Sequence, residues 1–402
     1  MSSKPMSKCA DMAPKEWTRT TVGEACAIKN NLRLPLNVDQ RGSLKGPYPY
    51  MGPTGILDYI DHYRVDEEFA VIGEDGDHFL KYRDKPMTLY YSGKANGNNH
   101  AHIIGASERC SPKWFYYWFM HRDLSPSLTR QGVGRYKLTK KALSELEIWL
   151  PKPVEQRTIC ELLDTWAAAI DHSEKLAENA RAHKSALIER LVLGPSRDGR
   201  WKLRRVDEVA IRVQRQATSQ VDLPVLMISA ASGFVRQDEK YSRFMAGKSV
   251  ENYVALEEGE FAYNKGNSKR YEFGCVFPLK GLPRGLVPHV YVCFRLHEEH
   301  DRGFFEHLFA ADFLHDQLGS LVNTGVRNNG LLNIRPADFL ACKVPVPLPD
   351  EQAAIAARLA VATEWTRLCD EYLARLRAEK NALMTDLLAG KRRVRLPAAE
   401  TA

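Results

Sequence analysis

The sequence Pro151-Lys-Pro-Val-Glu-Gln-Arg-Thr-Ile159 returns 196 positions later as Pro347-Leu-Pro-Asp-Glu-Gln-Ala-Ala-Ile355. The same offset holds without a gap through residues 134–194 and 330–390, where many matched positions carry identical or similar side chains. One register kept over so long a stretch is not a chance event, and it indicates an internal duplication. The chain therefore consists of two related halves, and the repeated segment decides how they are organised.

Each copy of the repeated segment has the pattern of a long helix. Pro153 and Pro349 suit a first helical turn, and the acidic residues behind them suit the positive end of the helix dipole. Gly194 and Gly390 lie where a C-terminal cap is expected. Apolar residues recur at alternating spacings of four and three, which is typical of a coiled-coil seam. The predicted seam residues are Ile159, Leu163, Trp166, Ile170, Leu187 and Leu191 in the first helix, and Ile355, Leu359, Leu373, Leu376, Leu383 and Leu387 in the second.

Two such helices can bury each other's apolar stripe. About forty residues at ~1.5 Å each form a rod of roughly 60 Å, and a pseudo-twofold axis between the halves makes the two rods an antiparallel coiled coil. The alternative is that each helix lies on its own domain, which is an unusual use of so long a helix. The predicted segments are a first domain in 1–150, long helices in 151–194 and 347–390, a second domain in 195–346 and a basic tail in 391–402.

The two domains are predicted to be mixed α/β (α+β) units. Runs of β-branched and aromatic residues alternate with Gly, Pro and Asn, as strands alternate with turns. The aromatic run at 114–119 is predicted to be a buried helix face. Trp17, Val22 and Glu24 return 184 positions later, but between these anchors and the helices the domains share little sequence. A duplicated frame around different inserts is typical of a protein whose halves recognise different things.

Composition narrows the class of protein. The 402 residues carry a formal net charge of +7, a mild preference for polyanionic partners. The eight cysteines are scattered singly, without Cys-x-x-Cys, as in proteins of the reducing cytosol. No signal peptide is visible, and no apolar run approaches the ~18–20 residues of a membrane span. We therefore predict a cytoplasmic protein without a membrane partner.

The motifs of the common DNA enzymes are missing from the sequence. There is no Asn/Asp-Pro-Pro-aromatic tetrapeptide of adenine methyltransferases and no Gly-rich loop for S-adenosylmethionine. Residues 247–249 end like a phosphate-binding loop but lack its first glycine and its preceding strand, so a surface turn is predicted. His100, His102 and Cys110 lack metal-ligand spacing. We predict that this chain has no catalytic residue, metal or cofactor of its own.

Four polar, glycine-containing stretches are candidates for contact with DNA. Arg and Lys read guanine, Asn and Gln read adenine, and cations also neutralise phosphates. The alternative is that such stretches are only turns. Two of the stretches, at 130–131 and 327–328, precede the repeated block at equivalent places, and such a pair is stronger ground than either alone. The candidates are Lys94, Asn98, Asn99 and His100, then Arg130 and Gln131, then Lys265, Asn267, Lys269 and Arg270, and finally Asn323, Arg327 and Asn328.

From about Trp17 to Gly390 the chain resembles the specificity subunit of type I restriction–modification systems. The paired Pro-x-Pro-x-Glu-Gln motifs and the half-repeat organisation carry the resemblance. The stretches that look like known types of target-recognition domain are 50–56, 72–76 and 98–102 in the first half, and 262–266 followed by Gly274 in the second.

The resemblance implies a division of labour between subunits. Each half would hold one target-recognition domain for one half of a split, asymmetric site in double-stranded DNA, and the antiparallel helices would be the spacer that sets the gap. The implied partners are two methyltransferase subunits with S-adenosylmethionine and restriction–translocase subunits that use ATP and Mg²⁺. The chain itself would then be a non-catalytic recognition subunit without a cofactor.

Three alternatives stay open on the sequence alone. The chain is equally compatible with the specificity partner of a fused methyltransferase–nuclease. A coiled-coil interaction protein without a DNA role would show no sequence-specific binding. A self-sufficient DNA enzyme should show catalytic motifs, and those are missing.

Overall fold

The protein, represented by a computed structural model, divides into two compact units. The described residues are 14–131, 135–216, 223–240, 252–322 and 332–396. Unit 1 comprises Met1–Ser173 and Leu373–Ala402, and unit 2 comprises Glu174–Tyr372. Each unit therefore combines one predicted domain with parts of both long helices. The repeat in the sequence had predicted the helices as segments separate from the domains.

Unit 1 contains ten strands and five labelled helices among its described residues. The strands are β1 (Thr18–Thr21), β2 (Ala27–Ile28), β3 (Lys45–Met51), β4 (Ile56–Ile60), β5 (Val65–Gly73), β6 (Thr88–Gly97), β7 (Ala101–Gly105), β8 (Thr129–Gln131), β9 (Arg135–Lys137) and β10 (Glu147–Leu150). The helices are α1 (Val22–Ala25), α2 (Val38–Ser43), α3 (Pro112–Phe119), α4 (Lys140–Glu145) and the first part of α5 (Pro153–Ile188), with 3₁₀ turns at Asn30–Leu32, His78–Lys81 and Ser125–Ser127.

A six-stranded sheet is the centre of unit 1. Its order is β2-β7-β5-β6-β3-β4, and all neighbours are antiparallel except β3 and β6. Helix α3 packs against the sheet, and Ser111 caps it by accepting the N–H of Trp114. Five of its six aromatic residues are buried. The predicted buried helix face at 114–119 is therefore confirmed.

Unit 2 contains ten strands among its described residues and shares α5 with unit 1. The strands are β11 (Lys202–Arg205), β12 (Ala210–Arg212), β13 (Leu226–Ser229), β14 (Gly233–Arg236), β15 (Val254–Glu257), β16 (Phe261–Asn264), β17 (Cys275–Pro278), β18 (Arg284–Val287), β19 (Val292–Leu296) and β20 (Lys343–Val346). The helices are α6 (Gly194–Arg197), α7 (Val206–Val209), α8 (Gln237–Lys240), α9 (Arg302–Ala310), α10 (His315–Leu321), α11 (Pro336–Leu340) and α12 (Pro349–Leu388), whose end lies in unit 1.

The sheets of unit 2 differ from the sheet of unit 1. The largest has four antiparallel strands in the order β12-β19-β16-β17, and two-stranded sheets form from β13 with β14 and from β15 with β18. Phe261, Phe294 and Phe304 are fully buried in its main core. The two inserts therefore have different folds, as their different sequences indicated.

A common frame surrounds both inserts. In unit 1 β1 pairs with β10, and in unit 2 β11 pairs with β20, both antiparallel. The N–H groups of Val22 and Val206 donate to the backbone just before the second strand of each pair, at 2.9 Å in both units. Trp17 and Trp201 each pack edge-on against an aromatic ring of α3 or α9, with centroids 5.6 and 6.0 Å apart. This confirms the weaker repeat at the offset of 184.

The glutamine of the repeated motif joins the start of the first long helix to the domain. Gln156 is 1 % exposed. Its Oε1 accepts the N–H of Ser111 at 3.2 Å, and its Nε2 donates to the carbonyls of Arg109 at 2.7 Å and Pro151 at 3.0 Å. The motif therefore satisfies backbone groups that would otherwise be buried without a partner.

Gln352 has the same role in unit 2. It is fully buried, its Oε1 accepts the N–H of Asp301 at 2.9 Å, and its Nε2 donates to the carbonyl of Pro347 at 2.9 Å. Asp301 is the N-cap of α9, as Ser111 is of α3. The repeat thus preserves a hydrogen-bonded connection as well as a helix.

The long helices are antiparallel within each unit. In unit 1, Ile159 and Leu163 of α5 share a core with Leu387 of α12. In unit 2, Ile355 and Leu359 of α12 share a core with Leu187, and Arg181 and Asp370 form an ion pair. The buried predicted seam residues are Ile159, Leu163, Ile355, Leu359, Leu373, Leu376 and Leu387, and the half-buried ones are Trp166, Ile170, Leu187, Leu191 and Leu383.

The ends of the two long helices differ. Both helices begin at the predicted prolines. Gly390 has φ +67° just after α12, as predicted for a cap. The prediction for Gly194 is wrong, because its φ of −57° is helical and the chain continues through a π-helical turn at Glu189–Leu193 into α6. The left-handed residue there is Gly199, with φ +68°.

None of the helices among the described residues combines the length and the apolar character that a membrane span requires.

Candidate nucleic-acid interface

The first candidate stretch lies at the end of β6 and in the turn to β7. Lys94 is exposed, and its Nζ lies 4.7 Å from the ring centroid of Tyr63. Hydrogen bonding to that tyrosine raises the pKa of Lys94 above its ordinary value. Asn99 and His100 are exposed in the turn, and the His100 Nδ1 lies 2.9 Å from a carboxylate oxygen of Asp75. These three side chains face solvent, as a contact with DNA requires.

Asn98 lies inside the same turn. It is 7 % exposed, its Oδ1 accepts the N–H of His100 at 2.8 Å, and its own N–H donates to the carbonyl of Met51 at 2.8 Å. This placement departs from the prediction that Asn98 faces DNA. The physical reason is that a short amide at a tight turn bonds to the backbone two residues on.

The second candidate stretch is the β8–β9 hairpin. Arg130 is exposed, and its guanidinium carbon lies 6.0 Å from the ring centroid of Tyr136. Gln131 pairs with Arg135 through the backbone, and its side chain lies outside the described part of the chain. The carbonyl of Tyr136 accepts the N–H of Gly76 at 3.0 Å, which holds the hairpin against the loop that follows β5.

Glu74, in that loop, connects the two stretches. Its N–H donates to the carbonyl of His100 at 2.7 Å, and its carbonyl accepts the N–H of Leu138 at 2.7 Å. Its carboxylate pairs with Arg33 at 2.6 Å and with Lys137 at 3.1 Å. Glu74 is not among the residues predicted from the sequence to contact DNA, although an acidic residue between two glycines directly after an apolar strand is a recognisable signal.

The charge state of Glu74 follows from its partners. Burial by itself raises the pKa of Glu74, but the hydrogen bonds from Lys137 and Arg33 outweigh it and lower the pKa below its ordinary value. The side chain is 17 % exposed. Glu74 is therefore an ionised carboxylate between two cations at neutral pH.

His102 is a buried partner of the same loop cluster. Its Nε2 lies 2.7 Å from the carbonyl of Leu138, and its Nδ1 lies 2.6 Å from Arg33 and 2.9 Å from the amide of Asn30. Burial lowers the pKa of His102. These contacts assign a neutral ring that carries its proton on Nε2. Both nitrogens are occupied, and among the described residues no group of His, Cys, Asp and Glu has the arrangement of a metal site.

In unit 2 the third candidate stretch forms a compact loop between β16 and β17. The Asn264 Oδ1 accepts the N–H of Gly266 at 3.0 Å, and the Ser268 Oγ accepts the N–H of Tyr271 at 3.0 Å. Gly274 closes the loop with φ +91°, where a Cβ would lie 2.5 Å from the carbonyl of Asn264. The side chains of Asn267, Lys269 and Arg270 are exposed on this loop.

The two units hold equivalent points of the frame with different side chains. In unit 2 the Nζ of Lys265 donates to the carbonyl of Ile334 at 3.4 Å, and in unit 1 His102 donates to the carbonyl of Leu138, the repeat equivalent of Ile334. Lys265 is therefore partly engaged in the fold. Asn323, Arg327 and Asn328, and residues 247–249, lie outside the described residues.

The geometry thus brings together candidates that are distant in the sequence. Unit 1 places the 94–100 and 129–131 stretches on one set of connected loops, with exposed cations and amides. Unit 2 presents a polar loop at 267–270 whose backbone is held by its own hydrogen bonds. Cations neutralise phosphates and amides read base edges, so both surfaces have the chemistry of DNA recognition.

Residues 14–180 match the family model of the type I restriction modification DNA specificity domain. Over these residues the match agrees with the resemblance inferred from the sequence, and the matched stretch includes the six-stranded sheet, its loops and most of α5.

Two curated relatives, both described as type I restriction enzyme specificity subunits, are similar to part of this chain. A putative type I restriction enzyme specificity subunit of Haemophilus influenzae is 31% identical over 163 residues, which are 40% of this chain and 40% of the relative. The type I restriction enzyme EcoDI specificity subunit of Escherichia coli is 22% identical over 171 residues, 42% of this chain and 35% of the relative. The chain thus matches about two fifths or less of the length of these relatives.

A solved structure extends the similarity of fold to nearly the whole chain. The S subunit of a type I restriction-modification system from M. genitalium matches with a TM-score of 0.60 and 14% identity, and it covers 96% of this chain and 99% of that chain. The predicted fold class, mixed α/β with an internal repeat and two long antiparallel helices, is confirmed.

Proposed function

We propose that this chain is the DNA-specificity subunit of a type I restriction–modification enzyme. Each unit reads one half of a split, asymmetric site in double-stranded DNA, and the long helices act as the spacer between half-sites. The observation that carries the proposal is the duplicated frame: β1–β10 and β11–β20 are equivalent, while the enclosed sheets and exposed loops differ. Two equivalent frames that carry different sheets and loops suit a DNA site whose two halves have different sequences.

The chain contributes recognition, and other subunits contribute chemistry. Two methyltransferase subunits with S-adenosylmethionine modify adenine, and restriction–translocase subunits use ATP and Mg²⁺. The proposal is supported by the matched relatives, which are described as a putative and a named specificity subunit of type I restriction enzymes. The purified chain is accordingly expected to transfer no methyl group and cleave no DNA by itself, and activity of the chain alone would contradict the proposal.

The decisive experiment is a map of methylated adenines in the host genome by single-molecule sequencing. We expect a split motif, with two short half-sites and a constant gap, that disappears when the gene for this chain is deleted. Persistence of every methylated motif after the deletion would refute the assignment. Isolation of the native complex then shows whether the partners are separate subunits or one fused enzyme.

Binding measurements separate the proposal from a purely structural coiled-coil protein. The chain in its complex should prefer DNA that contains the mapped site and should bind more weakly as salt rises, because cations on the loops displace counterions from phosphates. Equal affinity for DNA with and without the site would favour the coiled-coil alternative.

A further inference from the structure

The loop that follows β5 is in contact with both candidate reading stretches of unit 1. Its Glu74 uses three different groups for these contacts. The N–H binds the β6–β7 turn at His100, the carbonyl binds the backbone after β9 at Leu138, and the carboxylate pairs with Arg33 and Lys137. One residue therefore connects three segments that are far apart in the sequence.

Arg33 extends these contacts toward the exposed side of the turn. Its Nη1 donates to the Glu74 carboxylate at 2.6 Å and to the carbonyl of Asn99 at 3.2 Å, and its Nη2 lies 2.6 Å from His102. Its own carbonyl accepts a hydrogen bond from Arg64 at 2.8 Å. The backbone of the exposed Asn99 is thus held by the guanidinium of Arg33, which Glu74 orients.

Lys137 makes the corresponding contact on the hairpin side. It lies at the end of β9, opposite Thr129 in the hairpin and beside the exposed Arg130. Its Nζ lies 3.1 Å from Glu74, and the side chain is only 29 % exposed. Pairing with Glu74 holds this lysine inside the loop cluster and holds the hairpin next to the β6–β7 turn.

We propose that Glu74 is a positioning residue for DNA reading by unit 1. It does not touch DNA; it holds the 98–100 turn and the β8–β9 hairpin in one relative arrangement, so that Asn99, His100 and Arg130 read a single half-site together. This inference rests on the proposed function and names the residue that sets the base selectivity of unit 1 for its half-site. Reading a base pair depends on donors and acceptors held in place, so a loosened arrangement loses discrimination before it loses phosphate contacts.

The test compares Glu74→Gln and Lys137→Gln with a matched control in the native operon. Glu147→Gln is the control, because Glu147 is also an ion-paired carboxylate of unit 1 but pairs with Arg19 on the β1–β10 frame. A fourth variant, Lys269→Ala, alters the exposed loop of unit 2 and identifies which half-site that unit reads. Methylated adenines are mapped in each strain.

We expect both variants of the Glu74–Lys137 pair to relax one half-site only. Methylation at sites with a single changed base in that half-site should rise about tenfold relative to the cognate site, the discrimination that one well-placed contact supplies. In these two variants the other half-site, which is identified by its response to Lys269→Ala, should keep its selectivity. Glu147→Gln should leave both half-sites unchanged. A further variant, Glu74→Asp, keeps the carboxylate and should retain most of the wild-type selectivity.

Several outcomes would overturn the inference. If methylation falls in equal proportion at all sites and the preference for each base is unchanged, Glu74 supports folding only. If both half-sites relax together, its effect is not local to unit 1. Lys137→Gln keeps the backbone contacts of Glu74, so it provides the answer if Glu74→Gln fails to accumulate. If the wild-type strain shows no split motif at all, the proposed function itself fails, which is a distinct result.

Discussion

The repeated glutamine allows a quantitative prediction from one half of the protein to the other. Gln156 makes three buried hydrogen bonds, to the N–H of Ser111 and to two carbonyls, and Gln352 makes two. Replacement by leucine keeps the approximate volume and removes the bonds. Each backbone group left buried without a partner costs about 1–3 kcal/mol, so Gln156→Leu should lower the free energy of unfolding of unit 1 by about 3 kcal/mol or more, and Gln352→Leu should lower that of unit 2 by about 2 kcal/mol or more.

The control is a glutamine that makes similar bonds near water. Gln317 accepts the N–H of Lys343 at 2.7 Å and donates to its carbonyl at 2.9 Å, and its side chain is partly exposed. Water can replace these bonds, so Gln317→Leu should cost less than about 1 kcal/mol. The assay is urea unfolding of the purified full chain, followed by tryptophan fluorescence. A Gln156→Leu variant as stable as the Gln317→Leu control would refute the role given to the repeated motif.

Four further predictions follow from single contacts and from the spacer. Glu155 is 4 % exposed and pairs with Arg393 at 2.9 Å, so Arg393→Ala should lower the free energy of unfolding by about 1–3 kcal/mol. Adding Glu155→Gln to the same chain should recover part of this loss, and a double-mutant cycle in urea measures both effects. Gly390→Ala should lower the melting temperature, because φ is +67° and the new Cβ would meet Pro14; an unchanged value would contradict the cap. Burial lowers the pKa of His102 below its ordinary 6.5, so the unfolded chain binds a proton there that the folded chain does not. The free energy of unfolding should therefore fall as the pH drops below about 6.5, and the slope against pH should be shallower in His102→Gln. Inserting four residues, about one helical turn, into α5 should change the gap between half-sites and leave each half-site unchanged, as methylome mapping would show; altered half-sites would disprove the spacer.

The sequence by itself determined the frame of this protein. A constant offset of 196 identified the duplicated segment, and its periodicity identified two long helices with a buried seam. Such features are local or repetitive, because proline at a helix start and apolar residues every three to four positions act within a few turns of chain. The weak echo of Trp17 and Val22 also proved sound, since both residues occupy the same place in each frame.

The tertiary structure alone decided which polar residues face solvent and which serve the fold. Asn98 and its neighbour Asn99 have the same side chain, yet one is buried in a turn and the other is exposed. Glu74 could not be assigned from its own neighbourhood, because its partners Arg33 and Lys137 lie more than forty residues away on either side. The end of the first long helix was also decided in the folded chain: Gly194 is compatible with a cap, but its φ is helical and the chain continues through a π-helical turn into α6. Long-range pairing of charges and competition between turn and surface are properties of the folded chain, and no periodicity in the sequence encodes them.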